Sequence, residues 1–230
     1  LAGASIAERW TEEYKKTILE SRTETANLIL RALKETDHEV EQFVSASAIG
    51  AYPSSKTQLY TESFEKYNPG FLGTVVEAWE KAADQFETLG LEVAQVRVGV
   101  VLAKNGGALE KLIQPIKYYV GSPLGDGQQW QSWIHLEDLA GIFKEVILNK
   151  NTGVYNAVAP APVTNETLTK EAALILNKPL IFPKVPAFML KLILGEMAAV
   201  VLESQKVSSQ KIEHQGYSFK YTQLNQALKD

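Results

Sequence analysis

The sequence predicts an α/β protein: a parallel sheet followed by a small, mostly helical C-terminal lobe. Two observations carry this. From Thr11 to Ala159, helix-like and strand-like stretches alternate, as they do where helices cross over between parallel strands. After Ala159 the pattern turns mostly helical. The 230 residues are 45% hydrophobic and 22% charged, ordinary for a globular chain, and suit one large domain or one with an appendage.

The elements follow in order. Ile18, Ala26, Ile29, Leu30 and Leu33 recur at helical spacing between charges, so "TEEYKKTILESRTETANLILRALKET" reads as a helix with Thr11 as its N-cap. "QFVSASAIGAY" is β-branched and small, a buried strand running into a loop. "VVEAWEKAADQFETLG" reads as a helix that Gly90 ends. "LEVAQVRVGVVL" is an apolar strand, and "NGGALEKLIQPIKYYVGSPLGDGQQ" a short helix between glycine-rich turns. "WQSWIHL" reads as a strand, "EDLAGIFKEVILN" as a helix and "GVYNAVA" as a strand. "TNETLTKEAALIL" is a helix capped by Thr164 or Asn165. "PAFMLKLILGEMAAVVLESQ" is a helix pair or one bent helix, and "QGYSFKYTQLNQALKD" a short strand with a helical tail. No fixed-period repeat or low-complexity segment interrupts them.

Composition excludes several classes. The formal net charge is −4, and no basic cluster is present of the kind that non-specific nucleic-acid binding needs. No apolar run reaches the roughly 18 residues of a membrane span. With no cysteine there is no disulfide and no thiolate-bound zinc, and a cytoplasmic protein is the expectation. The chain opens on Leu1–Ala2–Gly3, which reads as the tail of a buried strand entering a loop.

Several stretches, in this order and spacing, resemble one family along the whole chain: "ESR", "SASAIGAY", "FLGTVVEAWE", "VRVGVVLAKNGGALEKL", "WIHLEDL", "YNAVAPAPVTN" and "PAFMLKLILGEMA". The family is the atypical extended short-chain dehydrogenase/reductases, the NAD-dependent epimerase/dehydratase-like proteins, in their sugar-nucleotide-epimerase subgroup. The resemblance implies a Rossmann-like parallel sheet, truncated at its N-terminus here, with residues 1–159 binding NAD(P) and 160–230 forming the substrate lobe. Residues 106–134 are expected to contribute to that lobe. It also implies that "LAG" ends the fourth strand, so that the phosphate loop precedes Leu1 and a chain starting there binds dinucleotide poorly. Leu1, Ala2, Gly3, Arg22 and Val101 are then expected at the cofactor, with NADP slightly favoured over NAD. Ala2 and Gly3 permit close approach; the Arg22 guanidinium suits a pyrophosphate or 2′-phosphate, its competing role being a surface pair with Glu20 or Glu24. The substrate is an unknown small molecule, sugar-nucleotide-like, and a homodimer is allowed.

Such enzymes use a Ser, and a Tyr and Lys four residues apart on one helix, the Tyr as acid/base. Ser47 falls at the Ser position. Leu72 and Val76 fall where the Tyr and Lys belong, and neither can move a proton. Lys81 is on the same helix but off that face. Tyr52, on the loop after Ser47, is the substitute phenol. The competing roles are plain: a backbone-bonded hydroxyl for Ser47 and loop packing for Tyr52. The function expected is therefore an NAD(P)-dependent oxidoreductase or epimerase without the usual dyad, the alternative being an inactive NADP(H)-binding sensor or scaffold. Arg97, inside an apolar strand, requires partners and is expected to order the following loop. In "WIHLEDL", His135 and Asp138 mark a strand–helix joint rather than a catalytic or metal pair, with Trp130 and Trp133 supporting the substrate lobe.

Overall fold

The computed structural model describes residues 3–104 and 107–230. In chain order come α1 (Glu12–Glu35), β1 (Gln42–Ala48), β2 (Leu59–Tyr60), α2 (Phe71–Asp84), β3 (Glu92–Val98) and β4 (Val100–Leu102). Next are α3 (Gly107–Lys117), β5 (Trp130–Gln131), β6 (Trp133–His135), α4 (Leu136–Leu148), β7 (Gly153–Ala157) and β8 (Val163–Thr164). The chain finishes with α5 (Asn165–Ile175), α6 (Ala187–Leu194), α7 (Ala199–Leu202), β9 (Lys206–Val207), α8 (Gln210–His214) and α9 (Leu224–Lys229).

The central sheet is parallel, with β3 between β1 and β7. Alternation along β3 sorts its side chains between two layers. Val93, Gln95 and Arg97 face α2, where Phe43 and Val93 join Ala26, Leu30, Ala82, Ala83 and Phe86. Ala94 and Val96 face α4 and meet Ile142, Val146, Tyr155 and Ile212. Each such large aliphatic side chain contributes about 1.5–3 kcal/mol on full burial. Both faces are covered, which is why these strands read as near-continuous apolar runs. Among the described residues, β1 pairs only with β3.

Helix boundaries agree with their signals. Thr11 caps α1 by accepting from the Tyr14 amide, Thr164 caps α5 by accepting from Thr167, and Gly90 closes the turn after α2 at φ 75°. Two expected strands are divided instead. "LEVAQVRVGVVL" breaks at Gly99, where a side chain would stand 2.3 Å from the Ser132 carbonyl, and β4 leaves β3 to pair with β6. "WQSWIHL" breaks at Ser132, whose hydroxyl donates to the Gln205 carbonyl and accepts from the Val207 amide. "PAFMLKLILGEMAAVVLESQ" is a bent pair, α6 and α7 joined by a 3₁₀ turn at Gly195–Ala198. The strand expected in "QGYSFKY" is absent: Asp138 holds that segment instead, accepting from the Lys220 and Tyr221 amides and the Tyr217 hydroxyl. No helix among the described residues is long and apolar enough to cross a membrane.

Candidate active site

A polar row crosses the carboxyl ends of the three central strands. Ser47, Arg97 and Asn156 are register partners, Ser47 beside Arg97 and Arg97 beside Asn156. All three are buried. Glu80 reaches the row from α2. Arg97 donates to both of its oxygens, from Nε at 2.8 Å and Nη2 at 2.7 Å. Ser47 donates to Glu80 Oε1 at 2.5 Å and Tyr67 to Oε2 at 2.6 Å. Burial pushes the Glu80 carboxyl up, but Arg97, Ser47 and Tyr67 outweigh it and hold the carboxyl below its usual range. Tyr52 stacks against the Arg97 guanidinium, 4.9 Å from ring centroid to Cζ, and donates to Asn156 Oδ1 at 2.8 Å. Burial raises its phenol above the ordinary value, against the opposing charge of Arg97.

Ser47 and Tyr52 are thus brought to one place, at the carboxyl end of the sheet, but each hydroxyl is engaged inside the protein. Ser47 is 2% exposed and Tyr52 1%. Leu72 and Val76 lie beside Gly50, where an added Cβ would stand 3.5 Å from Leu72 Cβ and 3.9 Å from Val76 Cγ2. The positions of the expected dyad therefore form an apolar wall. Glu80, Asn156 and Tyr67 escaped the sequence reading. A faint signal existed: an acid on the buried face of α2 and an arginine within an apolar strand are each untenable without the other.

Arg22 stands elsewhere, among Gly3, Thr25, Phe43, Val44, Ser45 and Trp79. Its Nη1 donates to Ile18 O at 2.9 Å, its Nη2 to Ala4 O at 3.2 Å, and its plane lies over Trp79. Neither Glu20 nor Glu24 pairs with it; Glu20 is met by Lys16. Burial lowers the Arg22 pKa, as expected for a half-buried cation with no carboxylate against it among the described residues. A Cβ on Gly3 would stand 3.2 Å from Arg22 Cζ, so the glycine keeps the guanidinium uncovered. A guanidinium held by backbone carbonyls, with no carboxylate against it among the described residues, fits a phosphate group. Val101 lies in β4, half-buried against the α4 layer; Leu1 and Ala2 lie outside the described residues.

His135 sits at the joint between β6 and α4. Its Nδ1 accepts from the Glu137 amide and caps α4, and its ring packs on Tyr221 at 3.8 Å. Trp133 is wholly buried and donates to Ala161 O, while Trp130 donates to Lys56 O. Glu203 is linked to Tyr52 through Gln205: its Oε2 accepts from Asn68 and Gln205, and Gln205 also donates to Tyr52 O. Burial raises the Glu203 carboxyl above its usual range, partly offset by those two donors.

With this geometry the chain compares closely with known proteins. The epimerase family protein SAR0825 of Staphylococcus aureus (strain MRSA252) is 39% identical over 231 residues, which span all of this chain and 77% of that protein. The chain belongs to this epimerase family. Its human member SDR39U1 (isoform2), crystallised with NADPH, superposes at a TM-score of 0.90 with 32% identity, over all of this chain and 79% of that one. The nucleoside-diphosphate sugar epimerase of Corynebacterium glutamicum is 29% identical at a TM-score of 0.76, over 96% of this chain and 44% of that one. Residues 185–230 match a family described as a domain of unknown function (DUF1731).

Proposed function

We propose that the intact protein binds NAD(P), with NADPH as the better ligand, and carries out oxidoreductase or epimerase chemistry on a small molecule. The observation that carries the reading is Arg22, a half-buried guanidinium held by backbone carbonyls, with no carboxylate against it among the described residues and a glycine, Gly3, beside it. The NADPH in the human relative's crystal supports the choice of ligand. Arg22 and Gly3, with Leu1, Ala2 and Val101, are assigned to the cofactor. The nicotinamide cofactor supplies hydride acceptance and return. The chain's own part is to hold that cofactor, keep water from the reacting carbon and move a proton. Residues 1–159 form the cofactor part in this reading, and 160–230, with 106–134, the substrate part.

Ser47 and Tyr52, the hydroxyls at the carboxyl end of β1, are assigned to positioning at the reaction site. Since Glu80 and Asn156 engage them, their effect is to fix the turn that follows β1, and the proton acceptor is sought among neighbouring groups. The cytoplasm suits a chain without cysteine, and a homodimer is the assembly to look for by sedimentation.

The apolar wall at Leu72 and Val76 favours a second reading, an NADP(H) sensor without turnover. One experiment separates the two. The intact protein is titrated calorimetrically with NADPH and NADH, then incubated with NADPH and candidate carbonyl compounds while the cofactor absorbance is followed. Binding with substrate-dependent oxidation supports the enzyme. Binding with none across the panel supports the sensor, and no binding of either nucleotide removes both readings.

A further inference from the structure

The groove between α6 and α7 has a chemical character of its own. It holds about 620 Å³ and is lined by Lys191, Glu196, Ala198, Ala199, Leu202 and Glu203, among others. That volume is within the range of about 300–1,000 Å³ usual for small-molecule sites. Its walls are seated at the site described above. Met197, Ala199 and Val200 pack with Phe71 and Leu72, the residues at the start of α2. Asn68 donates its backbone N–H to Ala51 O at 2.7 Å and its side-chain amide to Glu203 Oε2 at 2.9 Å. Gln205 donates to the same Oε2 at 3.0 Å. Glu203 is therefore fixed beyond the carboxyl end of β1, the region where open α/β sheets take their ligands. Its Oε1 has no hydrogen-bond partner among the described residues.

The charges in the groove run against a diphosphate. Lys191 is its single cation, beside two carboxylates, and Glu196 is answered from outside by Lys15 at 2.6 Å. The chain's arginines are Arg9, Arg22, Arg31 and Arg97, so the sequence beyond β3 offers no guanidinium fork to a pyrophosphate. Arg97 is already bound to Glu80. Next to Lys191, α6 exposes Phe188 (70%), Leu192 (84%) and Ile193 (67%), extending an apolar surface from the groove.

We propose that this groove is the substrate subsite, and that it takes an uncharged, mainly apolar alcohol or carbonyl compound whose oxygen bonds to Glu203, not a nucleoside diphosphate sugar. The assignment as a substrate subsite rests on the NAD(P)-dependent reading above; the ligand class rests on the groove alone. An ionised Glu203 accepts from an alcohol and a protonated one donates to a carbonyl oxygen.

The test uses the intact protein with labelled alanine and leucine methyl groups, titrated by NMR with n-decanol and separately with UDP-glucose. The expected result is saturable shifts of the Ala198, Ala199 and Leu202 methyls with n-decanol and none there with UDP-glucose. Glu203→Gln, its fold checked by the amide spectrum, should weaken n-decanol about fivefold, as a charge-assisted bond becomes a neutral one. Groove shifts from UDP-glucose, or silence from n-decanol, would overturn the proposal. NADPH is titrated in parallel. Failure of that titration with n-decanol still bound would sink the cofactor reading and leave the ligand class standing.

Discussion

Glu80 and Arg97 are both nearly sealed from solvent, at 2% and 5% exposure, and each charge is tolerable only because the other faces it. Arg97→Met should therefore destabilise the fold by about 3–5 kcal/mol, whereas Glu80→Leu with Arg97→Met should recover most of that loss. Urea midpoints of the two single variants and the double variant test this. A double variant as unstable as the worse single would argue against the pairing. The pair also sets a pH dependence. The folded Glu80 carboxyl lies below its unfolded value, so the unfolded chain takes up the proton first. Its contribution is complete above the ordinary glutamate value of about 4.3 and is lost as pH falls through the lower folded value. The acid limb of stability should flatten in the double variant. Tyr52→Phe leaves Asn156 Oδ1 without its donor and should cost about 1–3 kcal/mol. Loss of turnover without loss of stability would instead place the phenol at the substrate.

At the scale of elements, two joints hold the site in place. The loop before α2 lies directly on Gly73, where a Cβ would come within 1.9 Å of the Asn68 carbonyl. Gly73→Ala must push that loop outward. A cost of about 1–3 kcal/mol is expected from the overpacking, together with altered Glu203 contacts, since Asn68 carries that carboxylate. Chemical shifts of the Asn68 side-chain amide would report the second effect, and an unmoved amide would contradict it. The other joint is "WIHLEDL". Asp138, with three donors on its carboxylate, secures residues 217–221, and His135 caps α4 beneath Tyr221. Asp138→Asn turns one acceptor oxygen into a donor facing an N–H and should cost about 1–3 kcal/mol, with NADPH affinity unchanged. Thermal unfolding paired with calorimetric titration distinguishes this from a role at the cofactor.

Over the whole molecule, the layers were legible because they depend on local rules. Apolar runs marked the strands covered on both faces, and Thr11, Gly90 and Thr164 marked helix ends. What the sequence hid depends on contacts between distant segments. Gly99 and Ser132 divide two strands through one close backbone approach, visible only when both are placed. Glu80 and Arg97 are 17 residues apart, and Asn68 and Glu203 are 135 apart. No periodicity links such pairs. Ser47 and Tyr52 were singled out by position relative to a motif, but their partners, which set what the hydroxyls can do, were not.

The claim on which the functional account turns is that Arg22 holds a cofactor phosphate. Its most direct measurement is calorimetric titration of the intact protein, Arg22→Lys and Arg22→Gln with NADPH, each variant first shown to melt like the parent. A charge-assisted bond to phosphate contributes about 1.5–3 kcal/mol. Arg22→Gln should therefore weaken NADPH roughly 10–100-fold, with Arg22→Lys between, since an ammonium keeps the charge but loses the planar fork. An Arg22→Gln protein that melts normally and binds NADPH as tightly as the parent would contradict the account.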